Sequence, residues 1–135
     1  MLTRLLLAFL LLGFAPAFAE DEPNGTYLPD LMEQPAYSAA WKGMLAGERA
    51  PLWVKKFGET LNATSAPSKS VVVGGEPYTL GWICKPHDCG DNQVYVLFAP
   101  GARQAWGLLI SAGDKRSWLG RPDPAIQAAI LSGIE

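Results

Sequence analysis

Gln93-Val94-Tyr95-Val96-Leu97-Phe98 is the stretch on which the fold turns. Between Val94 and Phe98 the even and the odd positions are both apolar. Successive side chains of a strand point to opposite faces, so a sheet with one wet face would not tolerate this run, and helices are expected to cover both sides. Working outward, the hydrophobic period is near two from Lys69 onward, with Gly and Pro punctuating at regular intervals, which reads as a series of strands. Ser70–Val73 and Pro77–Cys84 flank Gly74-Gly75, a pair that tolerates positive φ and suits a tight hairpin. Pro100-Gly101 turns the central strand into Arg103–Ile110, and Gly113-Asp114 leads to Lys115–Leu119. Every connection is short, so five antiparallel strands in sequence order are predicted.

Upstream of the strands the period is helical. Tyr37, Trp41, Met44 and Leu45 form one apolar stripe, predicting a helix over 35–46 that Gly47 can end, with a turn of helix before it around Asp30–Glu33. Pro51 suits the start of another helix carrying Leu52, Trp53, Lys56 and Phe57 and closed by Gly58, and the polar stretch 62–68, with Pro67 inside it, reads as a linker. After the strands, Asp123 can cap and Pro124 can open a last helix with Ile126, Ala129, Ile130 and Ile134 at helical spacing. The expected fold class is α+β: a central five-stranded antiparallel meander sheet with helices on both faces, in α/β/α layers.

The N-terminus assigns a compartment. Arg4, the apolar run Leu5–Phe14 and the small-x-small triplet Ala17-Phe18-Ala19 make residues 1–19 a cleavable signal peptide. Residues 20–28, acidic at first and carrying Pro23 and Gly25, are expected to be a flexible leader, and 29–135 a single domain. No cysteine follows the cleavage site, so no lipid anchor is expected, and no later segment is suited to crossing a membrane. The chain has 11 basic and 13 acidic residues, a formal charge of −2 that loss of Arg4 makes more negative. That argues against a nucleic-acid partner, which would call for a basic stripe. It suits a cationic protein partner, and is also ordinary for a soluble domain.

Cys84-Lys85-Pro86-His87-Asp88-Cys89 holds both cysteines and the sole histidine of the chain. In an exported protein the two cysteines can close a ring of six residues, too small for the enclosed side chains to retreat into a core, so Lys85, His87 and Asp88 are expected to project outward. So small a ring contributes about 2 kcal/mol by chain entropy, which a sheet covered on both faces hardly requires. A local role is the more economical one: the crosslink and Pro86 remove conformations and so lower the ordering cost of binding something concave. The plain alternative is a hairpin staple with an incidental histidine.

The hexapeptide and the strand after it resemble the signature loop of the inhibitor of vertebrate lysozyme (Ivy) family, whose members carry the same Cys-Lys-Pro-His-Asp-Cys run. The resemblance implies a central antiparallel sheet between helical layers and a periplasmic protein that binds c-type lysozyme and is not itself an enzyme, with no cofactor. It further implies that the Cys84–Cys89 loop enters the active-site cleft, where His87 meets the catalytic carboxylates. One of those carboxyls donates a proton and the other stays ionised beside the sugar, and an imidazole can hydrogen-bond to both through its two ring nitrogens. Asp88 would bond either to donors on the enzyme or to its own loop, Lys85 would answer the acidic cleft or stay solvated, and Pro86 would stiffen the approach. The loop does not distinguish a host lysozyme from endogenous lytic transglycosylases, and the family allows a homodimer. A reading of another kind is a periplasmic binding or stress protein with a different partner.

Rival chemistries for the same residues fit less well. Catalytic dithiols commonly separate their cysteines by two residues at a helix start, whereas here four intervene between strands. A metal held by Cys84, His87 and Cys89 lacks an evident fourth ligand beyond Asp88, and export favours oxidation of the pair. No serine lies in a nucleophile-elbow pattern. Asn24-Gly25-Thr26 and Asn62-Ala63-Thr64 are sequons of a kind that occurs by chance. The tryptophans at 41, 53, 82, 106 and 118 could line a sugar groove, but their apolar settings favour core packing, least securely for Trp118.

Overall fold

The computed structural model describes residues 25–135, and the signal peptide expected at 1–19 lies outside the described residues. Four α-helices and five strands occur among them: α1 (Leu28–Met32), α2 (Pro35–Leu45), α3 (Leu52–Thr60), β1 (Thr64–Val73), β2 (Glu76–Cys84), β3 (Gln93–Phe98), β4 (Ala105–Ser111), β5 (Lys115–Leu119) and α4 (Pro124–Ile134). The strands form one antiparallel sheet in the order β1-β2-β3-β4-β5, the meander predicted from the short connections.

The central strand is covered as its sequence requires. Val94, Val96 and Phe98 are fully buried and pack with Leu28, Trp41, Val54 and Phe57 of α1–α3, the Phe98 ring lying edge-on to Tyr37 at 4.8 Å. Leu97 points the other way, into a second core with Leu80, Leu108, Ile126 and Ile130, which α4 closes. The side chain of Asp123 caps α4, accepting a hydrogen bond from the Ile126 amide at 2.9 Å. At Gly74 and Gly75 φ is +57° and +82°, the left-handed pair that a two-residue hairpin turn between β1 and β2 needs.

Most bounds fall within two residues of expectation, and three larger differences have physical causes. The polar stretch 62–68 is no linker, because β1 starts at Thr64 and runs through it. Pro67 is accommodated by a register shift between Ala66 and Lys69, which takes it and Ser68 out of the ladder with β2. That freed edge is bonded instead to Gly25–Tyr27: the Gly25 amide donates to the Ser68 carbonyl, the Ser68 amide donates to the Thr26 carbonyl, and Tyr27 bridges Pro67. The part of the expected 20–28 leader that the structure describes is therefore tied to the sheet, and Leu28 is already fully buried at the head of α1. Finally, Gly58 lies inside α3, which ends instead with Leu61 in the left-handed conformation, φ +56°. Gly58 serves packing: a Cβ there would stand 2.9 Å from Nε1 of Trp41.

The tryptophans divide. Trp41 is core, 1% exposed, with its ring edge-on to Phe57 at 5.1 Å, whereas Trp53, Trp82, Trp106 and Trp118 are all only half-buried. Trp82, Tyr95, Leu108 and Trp118 are cross-strand neighbours in one row on the α4 side of the sheet. In that row Leu108 is buried while the other three stay partly open.

Candidate functional site

β2 and β3 are joined by the cysteine-bounded loop, so the loop is mounted on inner strands of the sheet. Cys84 is the last residue of β2, has no exposed surface, and pairs across the ladder with Gln93. Its sulfur is bonded to that of Cys89, and the two Cα atoms are 4.9 Å apart. One root of the loop is thus fixed inside the core.

Beyond Cys84 the hairpin continues for one more rung, the Lys85 amide donating to the Asn92 carbonyl at 3.0 Å. The chain then turns back on itself, and the Asp88 amide donates to the Lys85 carbonyl at 3.1 Å. In this four-residue turn Pro86 takes the second position, where its ring presets φ, and His87 takes the third with φ +66°. A left-handed third position is the mark of a type II turn, usually filled by Gly or Asn, and it is uncommon for a larger residue.

The structure places the six residues as follows. His87 and Asp88 are exposed at the tip, Lys85, Pro86 and Cys89 are half-buried along its flanks, and Cys84 is buried at its base. The Asp88 carboxylate accepts a hydrogen bond from Nδ2 of Asn92 at 2.8 Å, so it braces its own loop. Asn92 is a site residue that sequence reasoning passed over. Its signal, a polar amide just before β3, gains meaning only once the hairpin brings it beside Asp88. Gln93 braces the other side of the base, where its Oε1 accepts from Nε1 of Trp82 at 3.0 Å. Burial pushes the phenol of neighbouring Tyr95 above its ordinary range, and the charge of Arg116 works against that shift.

With the cysteine sulfurs bonded to each other and Cys84 sealed from solvent, attack on its sulfur is sterically closed. Among the described residues no group of three or more His, Cys, Asp or Glu side chains converges as a metal site, and no helix is long and apolar enough to cross a membrane. What the arrangement offers is a stiff projection that presents one imidazole.

Comparison with known proteins gives this projection a context. The family model described as inhibitor of vertebrate lysozyme (Ivy) matches residues 36–129, from α2 into α4. The chain is 34% identical to the inhibitor of vertebrate lysozyme of Pseudomonas aeruginosa over 96% of its own length and 92% of that protein's. It is 33% identical to a Yersinia pestis protein, covering 90% of this chain and 86% of that one. The inhibitor of vertebrate lysozyme of Escherichia coli K12 is 32% identical over 75% of this chain and 59% of its own length.

Proposed function

Because this chain belongs to the inhibitor of vertebrate lysozyme family, we propose that it inhibits c-type lysozyme from the periplasm by lodging the Cys84–Cys89 loop in the enzyme's glycan cleft. The observation that carries this reading is the position of His87, exposed at the tip of a crosslinked turn and held in a backbone conformation that few side chains adopt. A lysozyme cleft is concave and holds two carboxyl groups about 5 Å apart, one protonated and one ionised. The imidazole, with two ring nitrogens on opposite edges, can hydrogen-bond to both, and the turn then fills the space that the scissile sugar bond needs. Binding of this kind blocks the reaction by occupancy, and the inhibitor performs no chemistry of its own.

Asp88 and Asn92 contribute by holding the turn. Pro86 and the disulfide reduce the conformations that must be given up on binding. The test is titration of the purified mature protein into a c-type lysozyme cell-wall lysis assay beside the His87→Ala variant. The expected outcome is tight inhibition by the parent and a loss of about a hundredfold or more in the variant, the scale of a central interface contact. Equal inhibition by the two proteins would move the contact away from His87. An inactive parent would reject lysozyme as the target, and the same titration against a lytic transglycosylase would follow.

A further inference from the structure

Beside the loop, on the side of the sheet that α3 covers, two shallow hollows of about 390 and 290 Å³ share Trp53, Lys56 and Lys85 in their walls. The first adds Leu52 and Asn92, the second Pro86 and Asn62. No acidic residue lines either hollow, and among the described residues neither lysine is paired with a carboxylate. In a chain with a formal charge of −2 this is a local reversal of sign. The first turn of α3, with the positive end of its dipole, opens at the same place. Leu52 is 66% exposed there, and the indole N–H of Trp53 is buried without a hydrogen-bond partner.

We propose that this shelf is a second contact of the inhibitory interface and seats an acidic segment on the rim of the target enzyme's cleft. Lys56 and Lys85 would meet its carboxylates, and Leu52 would cover its apolar flank. The inference rests on the loop reading above. Its basis is continuity and charge: Lys85 and Pro86 belong to both loop and shelf, so a body seated over His87 on this side also lies over Lys56 and Leu52. A cleft that works through carboxylates presents negative potential within it, and a cationic shelf bordering the wedge complements that potential locally and fixes the register of docking, whatever the net charge of the partner.

The experiment measures inhibition constants at low and at high salt for the parent, Lys56→Glu, Lys56→Gln, His87→Ala and Arg103→Glu. Arg103, ion-paired with Glu76 at the opposite end of the sheet, gives a reversal of charge of equal size away from the shelf. The expected result is a rise of about tenfold in the inhibition constant for Lys56→Glu, a smaller rise for Lys56→Gln, and a flatter salt dependence in both, with Arg103→Glu behaving as the parent. Lys56 is exposed, so both variants should melt as the parent does, and the Gln variant serves if the Glu variant does not fold. If both Lys56 variants match the parent while His87→Ala is impaired, the shelf is rejected and the loop reading stands. If the parent itself does not inhibit, both are rejected.

Discussion

His87 combines two demands that pull against each other. Its imidazole is the group the proposed interface requires, yet its backbone sits at φ +66°, where a side chain costs about 1–2 kcal/mol relative to glycine. Glycine would relieve that strain and lose about 0.5–1 kcal/mol through greater freedom in the unfolded chain. His87→Gly is therefore expected to raise the melting temperature slightly, by a few degrees at most, while abolishing inhibition. Thermal melts paired with lysis titrations check this, and a lowered melting temperature would remove strain from the account. The sequence marks the hexapeptide as exposed through its ring size, and as constrained through that ring and Pro86. The left-handed turn is not legible there, since Pro-His is not the Pro-Gly that signals it, and neither is the Asp88–Asn92 bond, whose partners meet only in the folded hairpin.

Glycine at the level of the helix shows where pattern reading stops. Gly58 looks like a terminator after Phe57, but α3 continues past it to Thr60, and the glycine answers a packing need, since the indole of Trp41 lies against that face and leaves no room for a Cβ. Alanine is ordinarily the better helix former by about 1 kcal/mol, and overpacking costs about 1–3 kcal/mol, so Gly58→Ala should be destabilising. Gly43→Ala in α2, where nothing lies within 4 Å of the added Cβ, should be stabilising. Urea unfolding of the two variants should thus move the midpoint in opposite directions, and a shift of both the same way would contradict the packing argument. The strands were more legible. β3 and β5 match their expected bounds because alternation and turn residues are local signals, whereas the early start of β1 depends on a bulge at Pro67 and on pairing with Gly25–Tyr27.

Across the whole molecule, stability and activity are expected to separate. Two apolar cores, one beneath α1–α3 and one beneath α4, clamp the sheet, and the loop extends beyond both. The covered sheet was readable from the double-sided apolar run in β3. The division of the tryptophans was not, because α4 covers only part of its face and leaves Trp82 and Trp118 half open. Reduction of the Cys84–Cys89 bond should lower stability by about 2 kcal/mol at most and leave the chain folded, while weakening inhibition severely. Melts and inhibition titrations under reducing conditions test this, and parallel loss of both would mark the disulfide as a staple of the fold.

The tight turn at Gly74-Gly75 lies at the far end of β2 from Cys84, and both its residues are exposed. A strand rises about 3.4 Å per residue, so the nine residues of β2 set that turn about 30 Å from the root of the loop. It is a natural handle: a fluorophore, an affinity peptide or a tether to a sensor chip joined there leaves the opposite pole unobstructed, so the protein can be immobilised with the Cys84–Cys89 loop facing the analyte.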